Sequence, residues 1–163
     1  MFDERGYSGA RLTDISARAG LTTGAFYRHF SSKSDFFAAL FTEYGQDLIC
    51  ALDAASSLSM QIEGWLLAAR QHRGVVRATQ EVARIGTGED KLRSQLRAQC
   101  ALLLSKHMEE LVDPSMVSMS SELVADVVAQ YALIESAGWV PMREAQAVAT
   151  ELDCLIRRGL YGP

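Results

Sequence analysis

The sequence predicts an all-α protein in which a helix-turn-helix module leads into a longer helical body. Three observations predict it. Apolar residues recur three and four positions apart along most of the 163 residues, the period of one helix face, and the alternation of a half-buried strand is nearly absent. Proline is confined to Pro114, Pro141 and Pro163, so long segments carry no helix breaker. Residues 9–33 hold two short amphipathic segments on either side of Gly20, joined by a short turn, which is the helix-turn-helix arrangement.

The first segment, about Leu12 to Ala19, sets Leu12, Ile15 and Ala19 on one face. Gly20 stands where that helix must end, in a position tolerant of positive φ. The second, about Thr23 to Phe30, sets Phe26 and Phe30 on one face, with Thr22 or Thr23 as its cap. Its first turn, Thr23, Gly24 and Ala25, is small enough to approach base edges. The Thr hydroxyls donate or accept there, and an Ala methyl can meet a thymine methyl. Tyr27, Arg28, His29 and, past a short loop, Lys33 are able to hydrogen-bond phosphates, and Arg28 is also able to read a guanine. A surface helical hairpin with a solvated basic rim would share the bare pattern. The compact run Thr-Gly-Ala-Phe-Tyr-Arg-His-Phe followed by Lys33 is more specific than that.

The remaining elements follow in order. Ser32-Lys33-Ser34-Asp35 reads as a capping box opening a long helix to about Ala55, apolar at Phe36, Phe37, Leu40, Phe41, Tyr44, Leu48 and Leu52. Residues 56–59 break it. A helix from about Met60 to Gln71 is interrupted by Gly74, and another from Val75 to Ile85 is ended by Gly86-Thr87-Gly88. A long helix is expected from about Glu89 to Val112, then a loop from Asp113-Pro114 to Ser121. Two final helices are expected over about 121–137 and 141–160, with Pro141 in the first turn of the last.

Composition bounds the function. Apolar residues make up 48%, a globular proportion, and the net charge of −4 excludes a general polyanion binder. Between Arg11 and Lys33, however, Arg11, Arg18, Arg28 and Lys33 face Asp14 alone, a local basic patch. Cys50, Cys100 and Cys154 are widely spaced and odd in number, which reads as small core residues rather than a disulfide frame. No uninterrupted 18-residue apolar run and no signal peptide is visible, so a cytoplasmic location without membrane contact is the expectation. His29, His72 and His107 lie far apart. The pair His107 and Glu110 lacks the further carboxylates a di-metal bundle needs, and there is no phosphate loop or nucleophile motif. The expectation is no enzyme, no cofactor and no metal.

Phe2, Gly6 and Tyr7, then Asp14-Ile15, Ala19-Gly20-Leu21, Gly24-Ala25-Phe26-Tyr27, His29-Phe30 and Lys33, make the segment from Phe2 to Leu40 resemble the DNA-binding domain of the TetR family of one-component transcriptional regulators. The resemblance implies that Thr22, Thr23, Gly24, Ala25 and Arg28 face bases and that Tyr27, His29 and Lys33 hold phosphates. That family has a full helix before the Gly6-Tyr7 corner. Here five residues precede Gly6, about one turn. The expectation is an incomplete first helix that uncovers Phe36, Phe37, Leu40 and Phe41 and makes the chain as written a poor DNA binder. Arg11 stands where the family commonly has a capping Thr. Either it meets a DNA phosphate, or Thr13 or Ser8 caps the helix and Arg11 faces solvent.

The resemblance divides the chain into a DNA-binding domain, 1–47, and a helical effector-binding and dimerisation domain, 48–163. The last two helices carry apolar stripes that include Val127, Tyr131 and Ile134, and Val148, Leu152 and Leu155. These stripes either pack on their own chain or form a homodimer seam. In the family the pair builds a four-helix dimer bundle, and a two-fold operator needs a two-fold protein. Met60, Trp65, Met108, Tyr131 and Trp139, with Met116 and Met119, are core residues or the wall of an effector pocket. Arg70, Arg73, Arg77 and Arg84 are a solvated helix face or an anion site. The function expected is a ligand-responsive regulator, a repressor, that binds a palindromic DNA operator as a dimer and is released by a small-molecule effector. The alternative is a helical ligand-binding or interaction protein that has lost DNA binding with its first helix.

Overall fold

The computed structural model describes residues 1–85 and 90–161, and among these every regular element is helical. Helix α1 (Phe2–Gly9) is two short turns joined at Gly6, whose φ of 68° only glycine adopts without strain. Helices α2 (Leu12–Arg18) and α3 (Thr23–Tyr27) form the helix-turn-helix, and α4 (Lys33–Ala54) leads out of it. The body comprises α5 (Leu58–Gln71), α6 (Arg73–Ile85), α7 (Asp90–Met108), a 3₁₀ turn at Pro114–Met116, α8 (Val117–Ser136) and α9 (Ala145–Tyr161).

Local chemistry sets most of these ends. Ser32 accepts from the Asp35 amide at 3.0 Å, while the Asp35 carboxylate reaches back to the amide of Ser31 at 2.9 Å. That is the reciprocal logic of a capping box, with one partner a residue earlier than expected. Ser57 caps α5 through the Met60 amide at 3.2 Å, so α5 starts at Leu58.

Four boundaries in the body differ from the sequence expectation. Gly74 lies inside the first turn of α6 and breaks nothing. A Cβ there would stand 2.9 Å from the Asp3 backbone nitrogen, so the glycine admits α1. Helix α7 stops at Met108, where the amides of Leu111 and Val112 both turn back to the Met108 carbonyl. Residues 117–121 are helical rather than loop, because Asp113 caps the 3₁₀ turn through the Ser115 amide at 2.9 Å and α8 continues from it. Pro141 lies outside α9, which begins at Ala145. The Gly86-Thr87-Gly88 break and the start at Glu89 fall outside the described residues.

The core is one cluster. Phe2, Tyr7, Phe26, Phe37 and Phe41 fill its N-terminal end, and Leu48, Leu52, Leu58, Ile62, Leu66, Leu104 and Met108 its centre. The expected uncovered face of α4 is therefore only partly open. Phe37 and Phe41 are buried, with the Phe2 ring 5.9 Å from that of Phe37 and 6.2 Å from that of Phe36. Phe36 and Leu40 stay half-buried along a shallow groove beside Met1. Of the cysteines only Cys100 is a core residue, and Cys50 and Cys154 are exposed. The stretch Pro114–Ser136 has the length and mean hydropathy, 1.2, of a membrane span, but its Leu123 and Val127 lie on a surface face while its Val124 and Val128 face the core.

Candidate DNA interface and effector cavity

The turn of the helix-turn-helix is built by Gly20 at φ 69°, with the Leu21 amide donating to Ser16 O at 2.9 Å. Thr22 is the cap of α3, its hydroxyl oxygen accepting from the Ala25 amide at 3.1 Å. Helix α3 ends at Tyr27, three residues short of expectation. The His29 and Phe30 amides both bond to Phe26 O, and this tightened turn swings the Phe30 ring onto Phe36 at 5.0 Å. Phe26 is buried and anchors the helix from below.

Above that anchor lies an exposed row. Thr22, Gly24, Tyr27, Arg28 and His29 are exposed, and Thr23 and Ala25 are half-exposed. Arg11, the N-cap residue of α2, is exposed and makes no side-chain cap, nor does Thr13 or Ser8 take that place. Arg11, Arg28 and His29 form no side-chain hydrogen bond or ion pair among the described residues. A Cβ on Gly24 would meet nothing within 4 Å, so the missing side chain serves no packing within the chain.

The basic patch is split. Arg18 bonds to both Glu4 oxygens at 2.7 and 2.9 Å, and this partner holds the Glu4 carboxyl below its ordinary range. Asp14 is bound by Arg5 at 2.6 Å. Lys33 turns inward: its ammonium donates to Tyr7 O at 2.9 Å and Ala10 O at 3.2 Å and lies 4.4 Å from the Tyr7 ring centre. Among the described residues, Arg11 and Arg28 are thus the cations of the patch that face outward unpaired.

Helix α6 grips α1. Arg77 donates to Asp3 O at 2.6 Å, and Glu81 accepts the Ser8 amide at 2.9 Å next to that of Tyr7. These backbone donors hold the Glu81 carboxyl below the ordinary carboxylate range. The arginine run is therefore neither a solvated face nor an anion site. Arg70 binds buried Glu135 through two bonds of 2.9 and 2.8 Å, Arg73 donates to Ser136 O at 3.0 Å, and only Arg84 is left exposed. The sequence carried no signal that these charges are tethers, since their partners lie tens of residues away.

The far side of α6 lines a cavity of about 590 Å³ between α4, α5, α6, α7 and α8. Phe41, Tyr44, Leu48, Trp65, Val76 and Cys100 supply its apolar wall, and Arg97, Asp126 and Gln130 stand on its α7–α8 side. Burial pushes the Cys100 thiol up to about 12 and raises the Tyr44 phenol above its usual value. Of the expected pocket residues Trp65 alone is part of this wall. Met108 is enclosed in the core, while Met60, Met116, Met119 and Trp139 point to the surface. Tyr131 lines a different groove. Sequence reasoning missed Phe41, Tyr44 and Cys100, which read as ordinary core positions.

That second groove, on α8 and α9, gathers Val127, Tyr131, Ile134 and Leu152 beside Asp126 and Gln130. Leu155 is exposed one turn further along, but Val148 is buried in its own chain and belongs to no partner surface. Its neighbours at 145 and 149 are buried with it, so this face of α9 points inward.

The architecture is that of an all-helical protein with an N-terminal helix-turn-helix on a helical body. Residues 1–40 match the family model of the bacterial regulatory proteins, tetR family. A 48-residue stretch is 46% identical to the HTH-type transcriptional repressor DhaR of Mycobacterium sp. (strain GP1), covering 29% of this chain and 24% of that protein. The chain thus aligns with about a quarter of that relative's length. The fold is shared over nearly the whole chain. The TetR family transcriptional regulator PfmR from Thermus thermophilus superposes with a TM-score of 0.75 at 22% identity, covering 98% of this chain and 93% of that one. The ketosteroid transcriptional regulator KstR2 of Mycobacterium tuberculosis gives 0.63 at 21% identity, with 98% and 89% covered.

Proposed function

We propose that this protein is a ligand-responsive transcriptional repressor that binds a palindromic operator as a homodimer and is released by a small-molecule effector. The single observation that carries the reading is the exposed row on α3. Thr22, Thr23, Gly24, Ala25, Tyr27 and Arg28 lie on the outer side of a helix whose inner side is anchored by Phe26, and Arg28, His29 and Arg11 have their polar groups uncommitted. In this reading the first turn and Arg28 meet base edges, and Tyr27, His29 and Arg11 meet phosphates. Lys33 supports the module from inside, through Tyr7 and Ala10. The packing of Phe2 against Phe37 supports an ordered helix-turn-helix module. The matched repressor DhaR supports repression over activation.

The cavity is the effector site in this reading, and the groove at Val127, Tyr131, Ile134 and Leu152 is the dimer seam. A division near residue 47 falls inside α4, which contributes Phe36 and Phe37 to the module and Phe41, Tyr44 and Leu48 to the cavity. Helix α6 likewise touches both, with Val76 on the cavity and Arg77 and Glu81 on α1. An effector that prefers one arrangement of α4 and α6 shifts the spacing of the two recognition helices. The test is selection of bound duplexes from a random pool, followed by mobility shifts. The expected product is a two-fold site with half-sites roughly 34–36 Å apart. Arg28→Ala should weaken binding by about 1–3 kcal/mol with an unchanged melting curve. Absence of any enriched sequence, or full affinity in Arg28→Ala and Tyr27→Phe alike, overturns the reading.

A further inference from the structure

We propose that the cavity takes an amphipathic anion, its apolar part against Phe41, Tyr44, Leu48 and Cys100 and its acid head on Arg97 at the mouth, where it displaces Asp126. The proposal rests on the effector reading of the cavity given above.

The lining is divided. Phe41, Tyr44, Leu48, Val76 and Cys100 are all buried and form its floor. Gln80, Ser94, Arg97, Asp126 and Gln130 are exposed and form its mouth, between α6, α7 and α8. A molecule that fills the cavity therefore meets apolar carbon inside and polar groups at its outer end. Burial raises both the Cys100 thiol and the Tyr44 phenol, so the floor already opposes charge on the chain's own groups. A charged head belongs at the mouth, where water still reaches it.

The charges on the lining set the sign of that head. Arg93 and Arg97 lie on it with Asp126 as the one carboxylate among the described lining residues, a positive excess in a chain of net charge −4. Arg93 is already engaged within the chain, which leaves Arg97 as the seat. Asp126 holds Arg97 through Nε and Nη2 at 2.6 and 2.8 Å. Glu122 stands 3.6 Å from Arg97, but in the neighbouring groove rather than in the cavity. Both side chains of the Arg97–Asp126 pair are about half-exposed, so the pair is weak and a released Asp126 is rehydrated at little cost. The planar guanidinium offers an incoming carboxylate the same two-point geometry. Burial of the ligand's apolar part then supplies most of the affinity. A volume of about 590 Å³ accommodates one such molecule.

The test titrates the intact chain by calorimetry near neutral pH with three probes of matched chain: decanoate, 1-decanol and decylammonium. Decanoate should bind about tenfold tighter than decanol, the worth of a charge-assisted contact net of the exchange. Decylammonium should bind weakest. Arg97→Gln should lower decanoate to the affinity of decanol and leave decanol unchanged, and Arg97→Lys should restore part of the preference. Asp126→Asn should tighten decanoate by about threefold, because the competing carboxylate is gone. Ala129→Trp should fill the mouth and weaken decanoate and decanol alike. Arg97, Asp126 and Ala129 are all exposed on helices, so these variants keep the fold. Equal affinity for decanoate and decanol, or a preference that survives Arg97→Gln, overturns the acid head and leaves the cavity standing. Unchanged decanoate affinity in Asp126→Asn overturns the displacement. Tightest binding of decylammonium overturns the sign of the head. Binding untouched by Ala129→Trp, or no binding of any probe, overturns the amphipathic anion as the occupant of this cavity. The effector role is read apart, by operator mobility shifts with saturating decanoate. Decanoate that binds with the expected preference but leaves operator affinity unchanged upholds the site and overturns the effector reading.

Discussion

The two halves of α4 are held by different physics. Its first half lies in a small aromatic cluster, Phe36 and Phe37 against Phe2, Tyr7, Phe26 and Phe30. Its second half, Leu48 and Leu52, is enclosed with Leu58, Ile62, Leu66 and Leu104 in an aliphatic core. The aromatic cluster is supplemented by directional tethers: Arg77 and Glu81 from α6, and Lys33 from α4 itself, all bonding to the backbone of residues 3–10. Apolar burial is non-directional and gives about 1.5–3 kcal/mol per large side chain, so the aliphatic core resists in proportion to its size. A tether contributes about 1–3 kcal/mol and is lost over a fraction of an ångström. The difference teaches that the helix-turn-helix module is held by a few directional contacts where the body is held by bulk burial.

The largest effect expected from this contrast is in the body. Ile62 is fully buried on α5. Ile62→Ala should cost about 2–5 kcal/mol by lost burial and the cavity left behind. Thermal unfolding followed by circular dichroism should show one transition at lower temperature that takes the module with it, since α4 runs through both halves. A loss below about 1 kcal/mol would mean that the body relaxes like a surface and would remove the contrast.

How much of this was legible in the sequence follows the same divide. Local signals read well: Gly20 at positive φ, the Ser32 cap, and the burial of Phe26 each depend on neighbours within a few residues. The exposure of Arg28 and Tyr27 followed from their place opposite Phe26 on one short helix. Long-range partners did not read. Nothing local to Gly74 announces that α1 packs on it, and nothing near Arg77 announces the Asp3 carbonyl 74 positions away. Lys33 looked like a phosphate ligand because its partners, Tyr7 O and Ala10 O, are backbone atoms, invisible in any pattern of side chains. The lining of the cavity did not read for a related reason. Large soft residues such as Met60 and Met108 can be surface or core equally, and the void forms only where five helices fail to meet.

The intermediate effect is in a tether. Glu81→Ala should lower the midpoint of global unfolding by only a few degrees, well short of Ile62→Ala, while it releases the amides of Tyr7 and Ser8. Their hydrogen exchange should accelerate by roughly ten- to a hundredfold, the equivalent of one charge-assisted bond. The pH dependence has a definite sign. The folded carboxyl lies below its unfolded value, so its contribution is complete above the ordinary carboxylate range and fades as the pH falls through the folded value. Wild type and Glu81→Ala should therefore differ at neutral pH and converge in acid. A drop in global stability as large as that of Ile62→Ala would make the tether part of the core and erase the distinction between the two regions.

The smallest effect belongs to the ion pair between α7 and α8. Arg97 and Asp126 meet through bonds of 2.6 and 2.8 Å, and these hydrogen bonds, with the guanidinium charge, hold the Asp126 carboxyl below its usual range. Both side chains are about half-exposed, at 48% and 54%. Water screens such a pair, and fixing two long side chains costs entropy, so a double-mutant cycle with Arg97→Gln and Asp126→Asn should give a coupling under about 1 kcal/mol. Asp126 also stands at the edge of the groove of Val127, Tyr131, Ile134 and Leu152. If a second copy of the chain covers that groove, water is excluded from one side of the pair and the coupling rises with protein concentration across the association range. The cycle is therefore measured by urea denaturation at two concentrations, well below and well above dimer formation as read by sedimentation. A small coupling at the lower concentration and a larger one at the upper would tie the seam to this face of α8. The same small coupling throughout, with the protein dimeric in the upper sample, would place the seam elsewhere.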